Sequence, residues 1–340
     1  MTKAYLIVNF GGPRHPGEIA LFLRELLTDQ DVVRTGWPQF WHNLFFSRMA
    51  KKRARQVAHD YALIGGASPI YGDTEKVAEE LRKALGSPVL TFHRYLPDTH
   101  ATFIRQVEEL ECREITVFPL FPQFSYATTG SIARWFHNHV CGKTVRKMRW
   151  LKSYPVHPSF VEATQKTMRD FMQGHGLSLS EVFFLFSAHG LPRKFICSGD
   201  VYESECERSY AAVMAGFPGV PGLLSYQSKF GRGEWLRPYT EEVASSILHY
   251  HQGRSSIVVV PISFTSDHIE TLFEIEHLYL PVIRSSGIQA YRCPALGLSP
   301  DWLQAILAIL RSQDLSSNDM LIRHNRKPCC PRNRCVFEEL

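Results

Sequence analysis

The chain has 340 residues, of which 44% are hydrophobic and 21% charged, with a formal net charge of +5. That length suits two ordinary domains or one large one, and the composition is that of a soluble globular enzyme able to bury a core. The modest charge is spread along the chain apart from one basic cluster, so nothing calls for a nucleic-acid partner, and no apolar run reaches the ~20 residues of a bilayer-spanning helix.

The elements read as strands alternating with amphipathic helices. The first residues run straight into a strand, Tyr5–Phe10, and a turn, Gly11-Gly12-Pro13, with no apolar signal region or Arg-rich transit segment ahead of it, so a cytoplasmic location is expected. Further strands are predicted at Val89–Tyr95, Ile115–Phe121, Met148–Tyr154, Val182–Ser187, Leu223–Gln227, Ile257–Phe264 and Gln289–Arg292. Helical periodicity falls at Gly17–Leu27, Thr74–Leu85, Pro158–Gly174, Val201–Ala215, Glu241–His249 and Pro300–Arg311. This rhythm predicts an α/β fold of two similar Rossmann-like lobes, each a largely parallel sheet flanked by helices, with an inter-lobe cleft.

Two local likenesses support the doubling. Phe10-Gly11-Gly12-Pro13 and His189-Gly190-Leu191-Pro192 both follow a first strand, and Pro119 and Pro261 both sit inside a later strand. The expected domains are 1–155, with a lip at about 30–60, then 156–312, then a cysteine-containing tail at 313–340. Ser312 to Asp319 reads as a linker. The eight cysteines are scattered and, in a reducing compartment, mostly thiols.

The chemistry gathers where two apolar runs end. Val182–Ser187 leads to His189, and Ile257–Phe264 leads to Asp267, His268, Glu270 and Glu274. In an open α/β sheet the carboxyl edge is where ligands bind. An imidazole and a carboxylate there can hold a divalent cation or take up protons.

Short motifs then follow one another in a fixed order: Gly11-Gly12-Pro13; Gly65-Gly66-Ala67-Ser68-Pro69-Ile70; Arg94-Tyr95; Phe121-Pro122-Gln123-Phe124-Ser125 with Thr128-Thr129-Gly130-Ser131; Ser187-Ala188-His189-Gly190-Leu191-Pro192; Tyr226-Gln227-Ser228-Lys229; Trp235-Leu236-Arg237-Pro238; and Ser263-Phe264-Thr265-Ser266-Asp267-His268-Ile269-Glu270-Thr271-Leu272. From residue 4 to about 311 the chain resembles the ferrochelatases. The resemblance implies insertion of Fe2+ into protoporphyrin IX to give protoheme with release of two protons, the terminal step of heme synthesis, with no cofactor required for turnover. It places His189 at the family's invariant histidine and Glu270 at its essential glutamate. Coproporphyrin III is the alternative substrate. More distant alternatives are a cobalt or nickel chelatase of an earlier tetrapyrrole and a tetrapyrrole-binding protein without activity.

Metal insertion needs a proton acceptor, and His189 is expected to be that base, an initial iron ligand, or both in turn. Glu274, four residues after Glu270, would share a helix face with it and with Asp267 and His268 form a proton or metal relay. Asp267 could also cap that helix. Where family members often carry a further acid, Leu278 stands here. A porphyrin with two propionates needs an apolar slot and polar anchors. Phe10, Phe121, Phe124 and Trp235 are slot candidates, with core packing as the plainer reading, and Arg94, Tyr95, Ser68 and Ser125 are anchor candidates. The aromatic segment Gly36–Met49, followed by Lys51, Lys52, Arg53 and Arg55, fits either a peripheral contact with anionic lipid, by a lip spanning 37–55, or an amphipathic helix packed inward. Some relatives hold a [2Fe–2S] cluster. The resemblance would assign Cys330 and Cys335 to it, with Cys329 displaced to the place beside Cys330 and Lys327 where a third cysteine is expected; Tyr126 stands at the internal ligand's place, leaving Cys197 or Cys206 as substitutes. A zinc site or plain thiols are the other readings of that tail.

Overall fold

The computed structural model describes residues 3–231, 233–311 and 315–322. They divide into two compact units, one taking the chain to Ser153 with the segment from Leu310, the other taking Tyr154–Ile309. The described strands are β1 (Lys3–Asn9), β2 (Val89–His93), β3 (Glu114–Pro119), β4 (Met148–Leu151), β5 (Val182–His189), β6 (Gly222–Gln227), β7 (Ser256–Pro261), β8 (Gln289–Arg292) and β9 (Leu315–Ser317).

In the first unit the sheet order is β2-β1-β3-β4-β9, and in the second β6-β5-β7-β8. All neighbours are parallel except β4 and β9. Both sheets therefore follow one plan: the chain leaves the first strand to one side and returns to the other. The reversal falls between β1 and β3 and between β5 and β7, and ligands bind at the carboxyl edge of such switch points. The paired prolines occupy matching places, since Pro119 lies beside Val8 and Pro261 beside Ser187, each the last residue of its strand. There the missing N–H costs the ladder little.

The central strands are covered on both faces, which is why they are apolar without alternation: Leu6, Ile7 and Val8, like Phe184, Leu185 and Phe186, have no exposure. After each first strand a glycine lets the chain pass close to a neighbour. A Cβ on Gly12 would lie 2.6 Å from the Ser68 side chain, and one on Gly190 would lie 2.7 Å from the Gln227 carbonyl oxygen.

Three departures from the sequence expectation have local causes. The segment read as a linker forms β9, antiparallel to β4, and a short helix, Asn318–Ile322. Asn318 Nδ2 donates to the Ala133 carbonyl, and Arg134 Nη2 donates to that of Ile322. A three-residue edge strand carries no periodic signal. The helices Gln39–Ala62, His100–Glu108 and Thr129–His139 were not among those read from periodicity. Finally, Glu270–Tyr279 is a π-helix rather than an α-helix, continuing as an α-helix over Leu280–Ser285. π-Helices are rare and concentrate at functional sites.

Candidate active site

The carboxyl edge of the second sheet brings His189, Gln227 and Glu270 together. His189 ends β5, its register neighbour Gln227 ends β6, and Glu270 opens the π-helix that follows β7. His189 Nδ1 lies 2.7 Å from Glu270 Oε2. The His189 backbone N–H donates to Ser263 Oγ at 2.9 Å, so the loop after β7 fixes the histidine's backbone. Phe264 meets the imidazole edge-on at 6.5 Å and packs on His268 at 4.7 Å.

Ser228 follows Gln227 in a left-handed conformation, φ 62°. Such a conformation is costly for a non-glycine residue and collects at functional sites. It places Ser228 Oγ 3.1 Å from Glu270 Oε2 and 2.6 Å from Glu274 Oε2. Gln227 Nε2 donates to the Glu270 carbonyl at 2.8 Å and to Glu274 Oε2 at 3.1 Å, and Tyr279 OH donates to Glu274 Oε2 at 3.2 Å. Glu270 and Glu274 do share one side of the helix, tied to the end of β6.

The two carboxyls titrate apart. Burial opposes the charge of both. For Glu270 the adjoining His189, with His268 and the Ser228 hydroxyl, overcomes that penalty and lowers the pKa. For Glu274 burial and the neighbouring Glu270 charge prevail over the hydrogen bonds from Ser228 and Gln227, raising it to about 7. Burial likewise opposes the His189 imidazolium, but Glu270's charge and hydrogen bond outweigh it and the pKa is raised. For His268, burial dominates over Glu270 and Asp267 and lowers the pKa. Two acids of separated pKa beside a histidine are suited to proton transfer. With Nδ1 committed to Glu270, Nε2 is the ring nitrogen left to accept a proton or a metal. In Glu270→Gln the imidazole pKa is expected to fall, because a neutral amide no longer favours the imidazolium; an NMR titration of His189 checks this, and an unchanged value would contradict it.

The family model described as Ferrochelatase matches residues 2–314. The chain belongs to the ferrochelatase family. Similar curated proteins are the ferrochelatase of Chlamydia abortus, 43% identical over 95% of this chain and 100% of its own length, and that of Chlamydia muridarum, 44% identical over 91% and 94%. This family membership makes the chain a metal chelatase, of the lyase class, that inserts metal into a porphyrin in heme synthesis. Solved structures show the same fold at low identity. A multi-domain Deinococcus radiodurans protein with structural similarity to chelatases aligns with TM-score 0.54 and 15% identity, over 93% of this chain and 56% of that one. SirB from Bacillus subtilis, solved with Fe3+, aligns with TM-score 0.51 and 14% identity, over 92% and 95%.

The other candidates fall into three groups. Phe10, half-buried, stacks on Tyr95 at 5.2 Å and meets Phe121 edge-on at 5.1 Å, an aromatic cluster at the carboxyl edge of the first sheet. Ser68 is buried beside Gly12, and its Oγ has no hydrogen-bond partner, the mark of a group that waits for one.

A second group is committed elsewhere. Arg94 Nη2 and Tyr95 OH donate to Asp29 Oδ2 at 2.7 and 2.9 Å, and Ser131 Oγ donates to the same oxygen at 2.5 Å. Tyr95 has no exposure. Two of the four expected propionate anchors thus serve a buried carboxylate 65 residues away or more, invisible along the chain. Ser125 Oγ accepts the Ala127 N–H and builds its own turn. Phe124 and Trp235 are core residues, as the plainer reading had it. Asp267 does not cap the helix with a backbone bond: its Oδ1 accepts from Thr271 Oγ1 at 2.7 Å and from Arg292 Nη1 at 2.8 Å. Arg292 Nε also donates to Glu276 Oε1. Asp267 and Glu276 thus share the one Arg292 guanidinium. His268 Nε2 is 3.9 Å from Glu270 Oε1, near enough to act on its charge.

The third group is the cysteine set. Cys329, Cys330 and Cys335 lie outside the described residues. Tyr126 offers no thiolate at the family's internal place; its ring packs edge-on to Phe124 at 5.0 Å. Cys206 has no exposure, and burial raises its thiol pKa well above the usual range, which disfavours the thiolate a cluster needs. Cys197 is half-buried. Tyr126 and Cys206 therefore do not fit the family's cluster.

On the helix Gln39–Ala62 and just before it, Trp37, Phe40, Trp41 and Phe45 are 47%, 68%, 59% and 46% exposed, while His42, Phe46 and Ala50 turn inward. Lys51, Lys52, Arg53 and Arg55 follow on the exposed side. No helix among the described residues is long and apolar enough to cross a membrane.

Sequence reasoning missed Asp29 and Tyr279, and it quoted Gln227 and Ser228 without giving them a role. A serine after a strand-ending glutamine is an ordinary local signal; only the fold puts them against two acids.

Proposed function

We propose that the chain inserts Fe2+ into protoporphyrin IX, forming protoheme as two pyrrole protons leave. The observation that carries this is the 2.7 Å contact of His189 with Glu270 at the second sheet's switch point, extended to Glu274 through Ser228. Two N–H protons go out as one Fe2+ goes in, so the charge of the exchange balances. His189 Nε2 accepts a pyrrole proton. Since Nδ1 is engaged, the same ring ligates iron only in turn with that task. Glu274, with a pKa near 7, can take and release protons at working pH. Glu270 stays anionic and holds the incoming cation.

The unpartnered Ser68 hydroxyl, just ahead of the helix Ile70–Leu85, receives a propionate, and the helix N-terminus favours that negative charge. Phe10, half-buried, offers an apolar face to the macrocycle, with Phe121 packed edge-on behind it. Turnover needs no bound cofactor. An anaerobic assay of Fe2+ insertion tests the reading: protoporphyrin IX is expected to give the higher kcat/KM, and a preference for coproporphyrin III would overturn the substrate assignment.

In this reading the protein works in the cytoplasm and rests on the membrane through the exposed aromatics beside the basic run. Aromatic rings at the headgroup level with lysines and arginines nearby are the usual form of such contacts. Co-sedimentation with anionic vesicles is expected for the wild type and lost when Trp37, Trp41 and Phe45 become Ser. Wild type that stays in the supernatant would remove the membrane contact.

A further inference from the structure

Behind the acidic pair lies a chain of hydroxyls with no part in the chemistry described so far. Ser187, Ser225 and Thr240 have no exposure, and Gln227 is 2% exposed. Ser187 Oγ donates to Gln227 Oε1 at 2.6 Å. Thr240 Oγ1 lies 2.9 Å from both Ser187 Oγ and Ser225 Oγ, and Ser225 Oγ lies 3.0 Å from the Phe186 carbonyl oxygen, so its one proton serves Thr240 or that carbonyl. The direction of the ladder follows from its ends. The Glu270 backbone oxygen can only accept, so the Gln227 atom 2.8 Å from it is the NH2 group. The amide oxygen then faces Ser187, whose single proton goes to it, and Ser187 Oγ is left to accept from Thr240.

One amide orientation is therefore dictated by the Glu270 carbonyl and met by the Ser187 hydroxyl, and in the core a misplaced donor is costly. That orientation ties Glu270's carbonyl and Glu274's carboxyl to the end of β6, the strand hydrogen-bonded to the one that carries His189. We propose that Gln227 is a positioning residue for metal delivery, with the Ser225–Thr240–Ser187 ladder locking its amide so that Glu270 and Glu274 keep a fixed place relative to His189. This deepens the metal-insertion reading and rests on it.

The test reads metal and porphyrin separately. Co2+ alone, followed by its absorbance, reports metal affinity, and anaerobic kinetics report the KM of Fe2+ and of protoporphyrin IX. Gln227→Leu is expected to weaken Co2+ binding and raise the Fe2+ KM by about 10–100-fold, the usual cost of losing a group that orients a metal site's ligands, with the porphyrin KM at its wild-type value. Gln227→Glu is expected to be worse, since it sets a third carboxylate against Glu274. Ser187→Ala, which removes one hydroxyl and preserves the fold best, is expected to shift the same two quantities by a smaller factor. Wild-type metal affinity in both Gln227→Leu and Ser187→Ala, full function in Gln227→Glu, or a parallel rise in both KM values would overturn the proposal. So would a wild type that binds no Co2+. A wild type that binds Co2+, with the variants ranked as stated, but inserts no iron would instead refute the assigned reaction and leave the positioning role standing.

Discussion

His189→Ala is expected to bind porphyrin as the wild type does and to form heme roughly 10²–10⁴-fold more slowly, the range a positioned acid–base group contributes. The loss should lie in kcat. His189 sits at a strand end with its side chain 37% exposed, so truncation opens no buried cavity and the fold should hold. The imidazole has Nδ1 on the Glu270 carboxylate, which leaves Nε2 to accept a proton. Stopped-flow absorbance of the porphyrin, with thermal unfolding as a control, checks the outcome. A variant within a few-fold of wild type would mean that His189 only packs the strand end.

Asp29→Ala should have the largest effect on stability. Its carboxylate accepts from Arg94, Tyr95 and Ser131, and its side chain is 6% exposed against 14% for that of Arg94. Removing it strands a buried guanidinium and a buried phenol, and breaking a buried ion pair from one side costs about 3–5 kcal/mol. Tyr95→Phe removes one hydrogen bond and should cost about 1 kcal/mol. Denaturant unfolding measures both. Arg94→Ala separates two views of that residue. As a partner of Asp29 its loss lowers stability; as a propionate anchor its loss would raise the porphyrin KM at unchanged stability.

What was legible in the sequence was what local pattern can carry. Continuous apolar runs marked the central strands because a parallel sheet buries both faces, and Pro119 and Pro261 marked the doubled plan because each ends a matching strand. His189 and Glu270 were legible through the motifs around them, while the contact between them comes from the fold. What local pattern could not carry shares a cause. The partner of Arg94 lies 65 residues away, and that of Asp267 lies 25 away on β8, so a cation and an acid that looked available were already paired. The π-helix was missed because an i to i+5 bond pattern leaves no mark in a spacing of four that an α-helix explains equally well. β9 is too short to alternate. Gln227 owes its role to three buried hydroxyls, none of which is distinctive in sequence.

The most direct test of the central claim is the rate of anaerobic Fe2+ insertion into protoporphyrin IX by wild type, His189→Ala, Glu270→Gln and the double variant. If the histidine and the carboxylate act as one unit, wild type turns over, each single variant is nearly inactive, and the double variant is no slower than the worse single one. Heme formation close to the wild-type rate in either single variant, or losses that multiply in the double, would contradict it.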